Sequence, residues 1–448
     1  MLPKQFLLSE CKNLQTVLQE TLRFDYGLDS SKDFYDECNL RLKFVTKEIH
    51  KTDENDGVEL MRHSLFLNRL SKLISRIERS SISEYSWPFV SAFKDITYQI
   101  SKEERAEGLE DPRIHVISQG GLASYMIYGE EESPTASNQK ILTIVFPRTL
   151  KHFVLLHPIL GHEIGHALLN MMKHSEKFQN IVDEHLLPKS NHFHSEESIA
   201  AWLYSPNAPD AIQLQLARLD SEFDPSITEE TFFKRFASIS NWLEEILCDI
   251  IGVLIFGPSF IGAHTHLLPI ADITGLTLSR QHPPTALRIH IMLQVADVLG
   301  WNTIKFDRKV NPYAKAFWAS VNSYRKTDAW YDVFPEACIK ATLDAFQTYF
   351  SSFEHTLYPM HDKATIEKLC KQIFNLIPPV GSGYTTKGLP DCKDVDFRHI
   401  LYAGWIASEF NPEQLDFSLV NRLCEHGIMQ QRAISLKNHP VTHEEETA

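Results

Sequence analysis

Two histidines four residues apart, His162 and His166, with Glu163 directly after the first, are the residues whose types and spacing could do chemistry. In a helix they stand one turn apart on one face, so both imidazoles can reach a single ion. Glu163 then sits beside that ion without binding it. The set suits metal-assisted hydrolysis: the imidazoles hold the ion, and the carboxylate takes a proton from a water that the ion acidifies. With 21 histidines in 448 residues, a five-residue match with three fixed positions is a weak sign alone, so its surroundings matter. Ile159, Leu160, Ile164, Ala167, Leu168 and Met171 recur at helical spacing within an apolar run from Val154 to Met172, which predicts a buried helix.

A hydrolytic zinc needs three protein ligands and one open position. A third ligand six residues after His166 is excluded, because Leu169 and Met172 stand where that arrangement needs Gly and His. A carboxylate on a second helix remains. Glu245 and Asp249 are four apart in an otherwise apolar stretch (Ile246, Leu247, Ile250, Ile251, Val253, Leu254). Burying two carboxylates there is costly without a cation or strong donors. The expected division has Glu245 on the metal and Asp249 accepting a hydrogen bond from His162. Glu244 is the less suited ligand, since its own fourth neighbour is Cys248.

His-Glu-x-x-His followed by Glu-x-x-x-Asp is the gluzincin pattern, and a third stretch, His282-Pro283-Pro284-Thr285-Ala286-Leu287-Arg288-Ile289, narrows it. Over about residues 140 to 295 the chain resembles the peptidase group of the CAAX prenyl proteases and the HtpX- and BepA-type quality-control peptidases. Their pattern adds a small residue three after the aspartate, here Gly252, and a His-Pro six residues before an Arg-Ile pair. The resemblance implies that His282 and Arg288 lie near the active site. A histidine or arginine there can stabilise the oxyanion; Arg288 could instead pair with a buried carboxylate and hold helices together. Taken without the resemblance, His-Pro-Pro reads as a helix start.

The elements that must position these residues are mostly helical. Residues 1 to about 108 read as helices, with Met61, Leu65, Leu70, Leu73, Ile74 and Ile77 as an apolar stripe and Arg62, Arg69, Lys72 and Arg76 opposite. The period then changes: Arg113–Ser118, Ala123–Tyr128 and Lys140–Phe146 read as three short strands. In the related peptidases an edge strand at this place grips the substrate backbone. A polar segment, Lys173–Asp210, carries His185, His192 and His194, which read as solvated loop residues. Ile246–Ala263 is too short and too broken by Asp249, Pro258 and glycines to span a membrane, and reads as a buried helix and a turn. Beyond Gly300 helices are expected at Tyr313–Tyr324, Pro335–Tyr349, Lys363–Leu376, Arg398–Glu409 and Pro412–Lys437. The expected architecture is α+β and predominantly helical: an N-terminal helical region (1–110), a zincin-like core with a small sheet (111–300) and a C-terminal helical region (301–448).

The formal net charge of −14 argues against a nucleic-acid partner. Seven cysteines, scattered and odd in number, suit a reducing compartment and hence the cytoplasm. The reading that unites these observations is a Zn2+-dependent peptidase acting on a protein or peptide substrate without a membrane span. Two other classes fit the motifs: a non-peptidase zinc hydrolase, and a helical interaction or regulatory protein with a structural or vestigial zinc site. An intact Glu163 counts against the second, because a structural site has no use for a base.

Overall fold

In a computed structural model of the chain, the described residues are 3–23, 29–77, 85–103, 113–119, 125–129, 141–169, 178–186, 238–271, 275–324, 334–350, 356–359, 362–384, 390–392, 395–411 and 413–438, with isolated positions at 79 and between 188 and 217. His192, His194, Met171 and the polar tail beyond Asn438 lie outside them. The described chain is predominantly helical with one small three-stranded sheet, as its α+β pattern implies. It divides into two compact units, Met1–His152 and Phe153–Ala448. The division falls after the third strand.

In the first unit, α1 (Pro3–Glu20), α2 (Asp29–Lys51) and α3 (Gly57–Ile77) pack on one another around Leu7, Leu18, Leu42, Val45, Ile49, Leu67, Leu70 and Ile74. The inward line of α3 corrects the expected stripe. Leu60 and Leu67 join Leu70, Leu73, Ile74 and Ile77 inside, whereas Met61 is 66% and Leu65 55% exposed, on the side of Arg62 and Arg69. Periodicity alone did not say which edge of a wide apolar sector faces the core. After α4 (Trp87–Glu103) come β1 (Arg113–Gln119), β2 (Met126–Gly129) and β3 (Ile141–Pro147). The sheet order is β1-β3-β2, with β3 parallel to β1 and antiparallel to β2. Central β3 buries both faces (Thr143, Ile144, Val145, Phe146), and Phe89 of α4 meets Phe146 edge-on at 6.1 Å.

The second unit is built around two crossing helices, α5 (Leu160–Leu169) and α6 (Ile239–Phe256). Gly257 turns the chain at φ +62, and α7 (Pro258–Ala271) follows, so the stretch through Ala263 continues as a second helix after the turn. Next come α8 (Thr285–Val298), α9 (Asn311–Asn322), α10 (Glu336–Tyr349), α11 (Lys363–Phe374), a short hairpin of β4 (Ser382–Tyr384) and β5 (Pro390–Cys392), α12 (Phe397–Ala407) and α13 (Phe417–Asn438). No described helix is long and apolar enough to cross a membrane.

The C-terminal helices are part of the same unit because they complete α6. Buried Arg398, at the start of α12, donates to the carbonyls of Ile255 (2.9 Å) and Thr356 (2.7 Å). Ile255 belongs to the last turn of α6, whose carbonyls have no partner within the helix. Asp396 holds that arginine through two hydrogen bonds of 2.8 and 2.7 Å and also caps α12 through the backbone N–H of Arg398. Burial would push the Asp396 carboxyl up, but the Arg398 guanidinium outweighs it and holds it below the usual range. Asp396→Ala strands a buried guanidinium and uncaps α12. We expect a loss of about 3 kcal/mol by denaturant titration, near the low end for breaking a buried pair because the carboxylate keeps some solvent contact. A depressed carboxyl contributes stability above its unfolded pKa of about 3.9, lost as pH falls through the lower folded value. The gap between wild type and Asp396→Ala should therefore close in acid.

Candidate metal centre

The crossing of α5 and α6 depends on small residues. Gly161 and Gly165, one turn apart on α5, face Gly252 and Cys248 on α6. A Cβ on Gly165 would lie 2.6 Å from the Cys248 Cα, and one on Gly161 would lie 2.9 Å from the Gly252 Cα. With backbones this close, side chains flanking the seam from both helices converge on one point.

Five side chains meet there. His162 Nδ1 is 2.9 Å from Asp249 Oδ1, and His166 Nδ1 is 2.9 Å from Glu244 Oε1. A carboxylate only accepts, so each Nδ1 carries the proton and donates it. In the neutral rings each Nε2 then turns its lone pair toward the other groups of the cluster. The two Nε2 atoms lie 3.1 Å apart, His162 Nε2 lies 3.4 Å from Glu245 Oε2, and His166 Nε2 lies 3.3 Å from Glu245 Oε1. Buried Glu245 Oε2 makes no hydrogen bond but is ion-paired with Arg288 Nη1 at 3.2 Å. Two nitrogen lone pairs and a carboxylate brought this close need positive charge among them, which protons on the rings or a metal ion can supply; despite burial, the neighbouring carboxylates push both imidazoles above their ordinary value. The two separations to Glu245 match the edge of a tetrahedron with bonds of about 2.0–2.1 Å, about 3.3–3.4 Å, and the Nε2–Nε2 distance is slightly shorter. The residues present therefore fit a small divalent ion on the sequence-expected set His162, His166 and Glu245.

Two other buried groupings have metal-ligand chemistry, His162 with His166 and Cys248, and His162 with Asp249 and His264. Burial pushes the Cys248 thiol up to about 12, so ionising it is costlier than using Glu245. For Glu245, burial is outweighed by His162, His166 and Arg288, which hold the carboxyl well below the usual range. The second grouping faces a guanidinium. Arg288 donates through Nε to Asp249 Oδ2 at 2.7 Å and through Nη2 to Asp249 Oδ1 at 2.8 Å, which repels any further cation there.

Those bonds also decide between the two roles open to Arg288. Its Nη1 lies 3.2 Å from Glu245 Oε2 and its side chain is buried. Its fork is committed to the two carboxylates of α6, so it holds α8 against α6 and orients Asp249, which orients His162. His282 lies in the segment before α8, with Nε2 3.7 Å from Glu245 Oε1 and 54% of its side chain exposed. Burial of its inner side pushes its pKa below the ordinary value, so the ring is neutral at pH 7. Glu163 is half-buried in the first turn of α5. Burial raises its carboxyl above the ordinary value, although His162 and His166 pull the other way.

Two residues escaped the sequence reading. Glu244, set aside as a ligand, orients His166 as Asp249 orients His162. His264 of α7 is buried with Nε2 3.5 Å from Asp249 Oδ1. Burial pushes it down to about 3, so it stays neutral. Of the three histidines expected in a solvated loop, only His185 is described; it lies in a helical turn, Val182–Leu186, 4.0 Å from Glu184, and is partly exposed. Compared with protein-family models, curated proteins and solved structures, the chain matches none.

Proposed function

We propose that the protein is a zinc-dependent peptidase of the gluzincin type, with its metal centre in the second unit and a zincin-like core over residues 111–300. The observation that carries this is the closed set of His162 Nε2, His166 Nε2 and the Glu245 carboxylate, each histidine having its other nitrogen tied to a carboxylate. Two histidines and one glutamate are the donor set of catalytic rather than closed structural zinc sites. The resemblance of the three motifs to the prenyl-protease and HtpX/BepA group supports the same reading. Processing of prenylated tails is not carried over, since no described helix could cross a membrane.

A zinc ion held there supplies Lewis acidity to a water and to a substrate carbonyl. The chain's own residues do the rest. Glu163 accepts the proton of the attacking water and returns it to the leaving amine. Its raised carboxyl brings base and acid roles closer to neutral pH. Neutral His282, at the open side of Glu245, donates a hydrogen bond to the oxyanion. Asp249, Glu244 and Arg288 touch no substrate; they fix the rings and the ligand carboxylate before substrate arrives. Incubation of the purified chain with a diverse peptide mixture, read by mass spectrometry for new termini, tests the proposal. New termini that vanish with chelator and return with zinc are expected. Their absence from the zinc-loaded protein would overturn it and favour a scaffold role.

A further inference from the structure

His282 lies on an irregular segment, and one buried side chain ties that segment to the ligand-bearing helix. Trp242 is in the first turn of α6, three residues before Glu245 and so on the same side of the helix. It is buried, and its indole N–H donates to the Ser279 carbonyl at 2.8 Å. Beside it, Asn241 Nδ2 donates to the Arg280 carbonyl at 3.3 Å. The base of the segment is closed where the Ala286 N–H donates to the Gly275 carbonyl at 2.7 Å, with Gly275 at φ +71. His282 is three residues beyond the Ser279 attachment and four before Ala286. A mostly exposed imidazole on such a segment would sample many positions, yet an oxyanion donor acts only when held within tenths of an ångström.

We infer that Trp242 is a positioning residue for His282: its indole N–H fastens the 275–286 segment to α6 and so sets where His282 stands relative to Glu245. This rests on the peptidase reading, and its test separates the two. Trp242→Phe keeps the ring and removes the donor. In the zinc-loaded full chain, hydrogen exchange over residues 275–284 should rise at least tenfold while zinc content stays at wild type. On a peptide the wild type cleaves, kcat should fall about 10-fold with KM unchanged, as for loss of an outer support. Added to His282→Ala, the substitution should cost nothing more, because the residue it positions is gone; a merely structural role would add its loss in full. Unchanged exchange, or full additivity with His282→Ala, would overturn the inference. If the wild type cleaves nothing, the peptidase reading falls, and exchange together with the rate of His282 acylation by diethyl pyrocarbonate still decides the attachment. Should Trp242→Phe fail to fold, benzothienylalanine at position 242, a sulfur-for-N–H isostere, takes its place with the same expected outcomes.

Discussion

Glu163→Gln should leave fold and zinc content at wild-type levels and lower kcat by about 10²–10⁴-fold, the usual contribution of a general base. That is about 2.7–5.5 kcal/mol of transition-state stabilisation. Glutamine has the size of glutamate and still hydrogen-bonds water, but it cannot accept a proton. Glu163 is half-buried but is not among the residues that fix the site: His162 and His166 are held by Asp249 and Glu244, and the crossing by Gly161 and Gly165. Circular dichroism and metal analysis check that the variant is intact, and single-turnover cleavage reads the chemistry. A variant that cleaves at wild-type rate would remove the assignment of Glu163. A cellular partner set unchanged by it would favour the interaction-protein class over the enzyme.

Much of this centre was legible because helical spacing is a strong constraint. His162 with His166, and Glu245 with Asp249, are i, i+4 pairs, and each pair needs only one helix to place it. The cost of two buried carboxylates implied two different partners, and Glu245 faces both Nε2 atoms while Asp249 meets His162 Nδ1 and Arg288. What escaped depends on how two helices meet. Glu244 was discounted by looking along its own helix to Cys248, but its partner is across the seam. One imidazole has two nitrogens on opposite edges, so neighbouring residues 244 and 245 serve the same ring from two sides. Gly161 and Gly165 share a face of α5 by spacing, but spacing does not say which helix that face meets, and His264 stands on a third helix with no motif around it. In the first unit the same limit reversed Met61 and Leu65: composition marked an apolar sector, and only packing against α1 and α2 shows that Leu60 and Leu67 fill the core.

Glu245→Ala should lose most of the bound zinc, whereas Glu244→Ala should keep it at full stoichiometry. The difference follows from which nitrogen each carboxylate meets. Glu245 faces both Nε2 lone pairs, so its loss leaves two imidazoles and an open, weakly held ion. Glu244 only fixes the His166 tautomer, and with 41% of its side chain exposed, water can replace it in part. About a 10-fold weaker affinity is expected there, the low end for such supports. Asp249→Ala should cost more, up to about 100-fold in affinity, and should also destabilise the metal-free protein. Asp249 is fully buried and balances Arg288, so removing it leaves a buried guanidinium with Glu245 as its one remaining ion-pair partner among the described residues, at a cost of about 3–5 kcal/mol. Chelator competition gives the affinities, and thermal unfolding with and without zinc gives an independent reading. An ion present at about 1,000 times its Kd stabilises the folded chain by about 4 kcal/mol. That upward shift in Tm should appear in wild type and Glu244→Ala, shrink in Asp249→Ala and vanish in Glu245→Ala. Equal zinc affinity in the Glu244 and Glu245 variants would sink the ligand assignment. A zinc-dependent shift lost only when Cys248 is replaced would move the ion to the sulfur side of the seam.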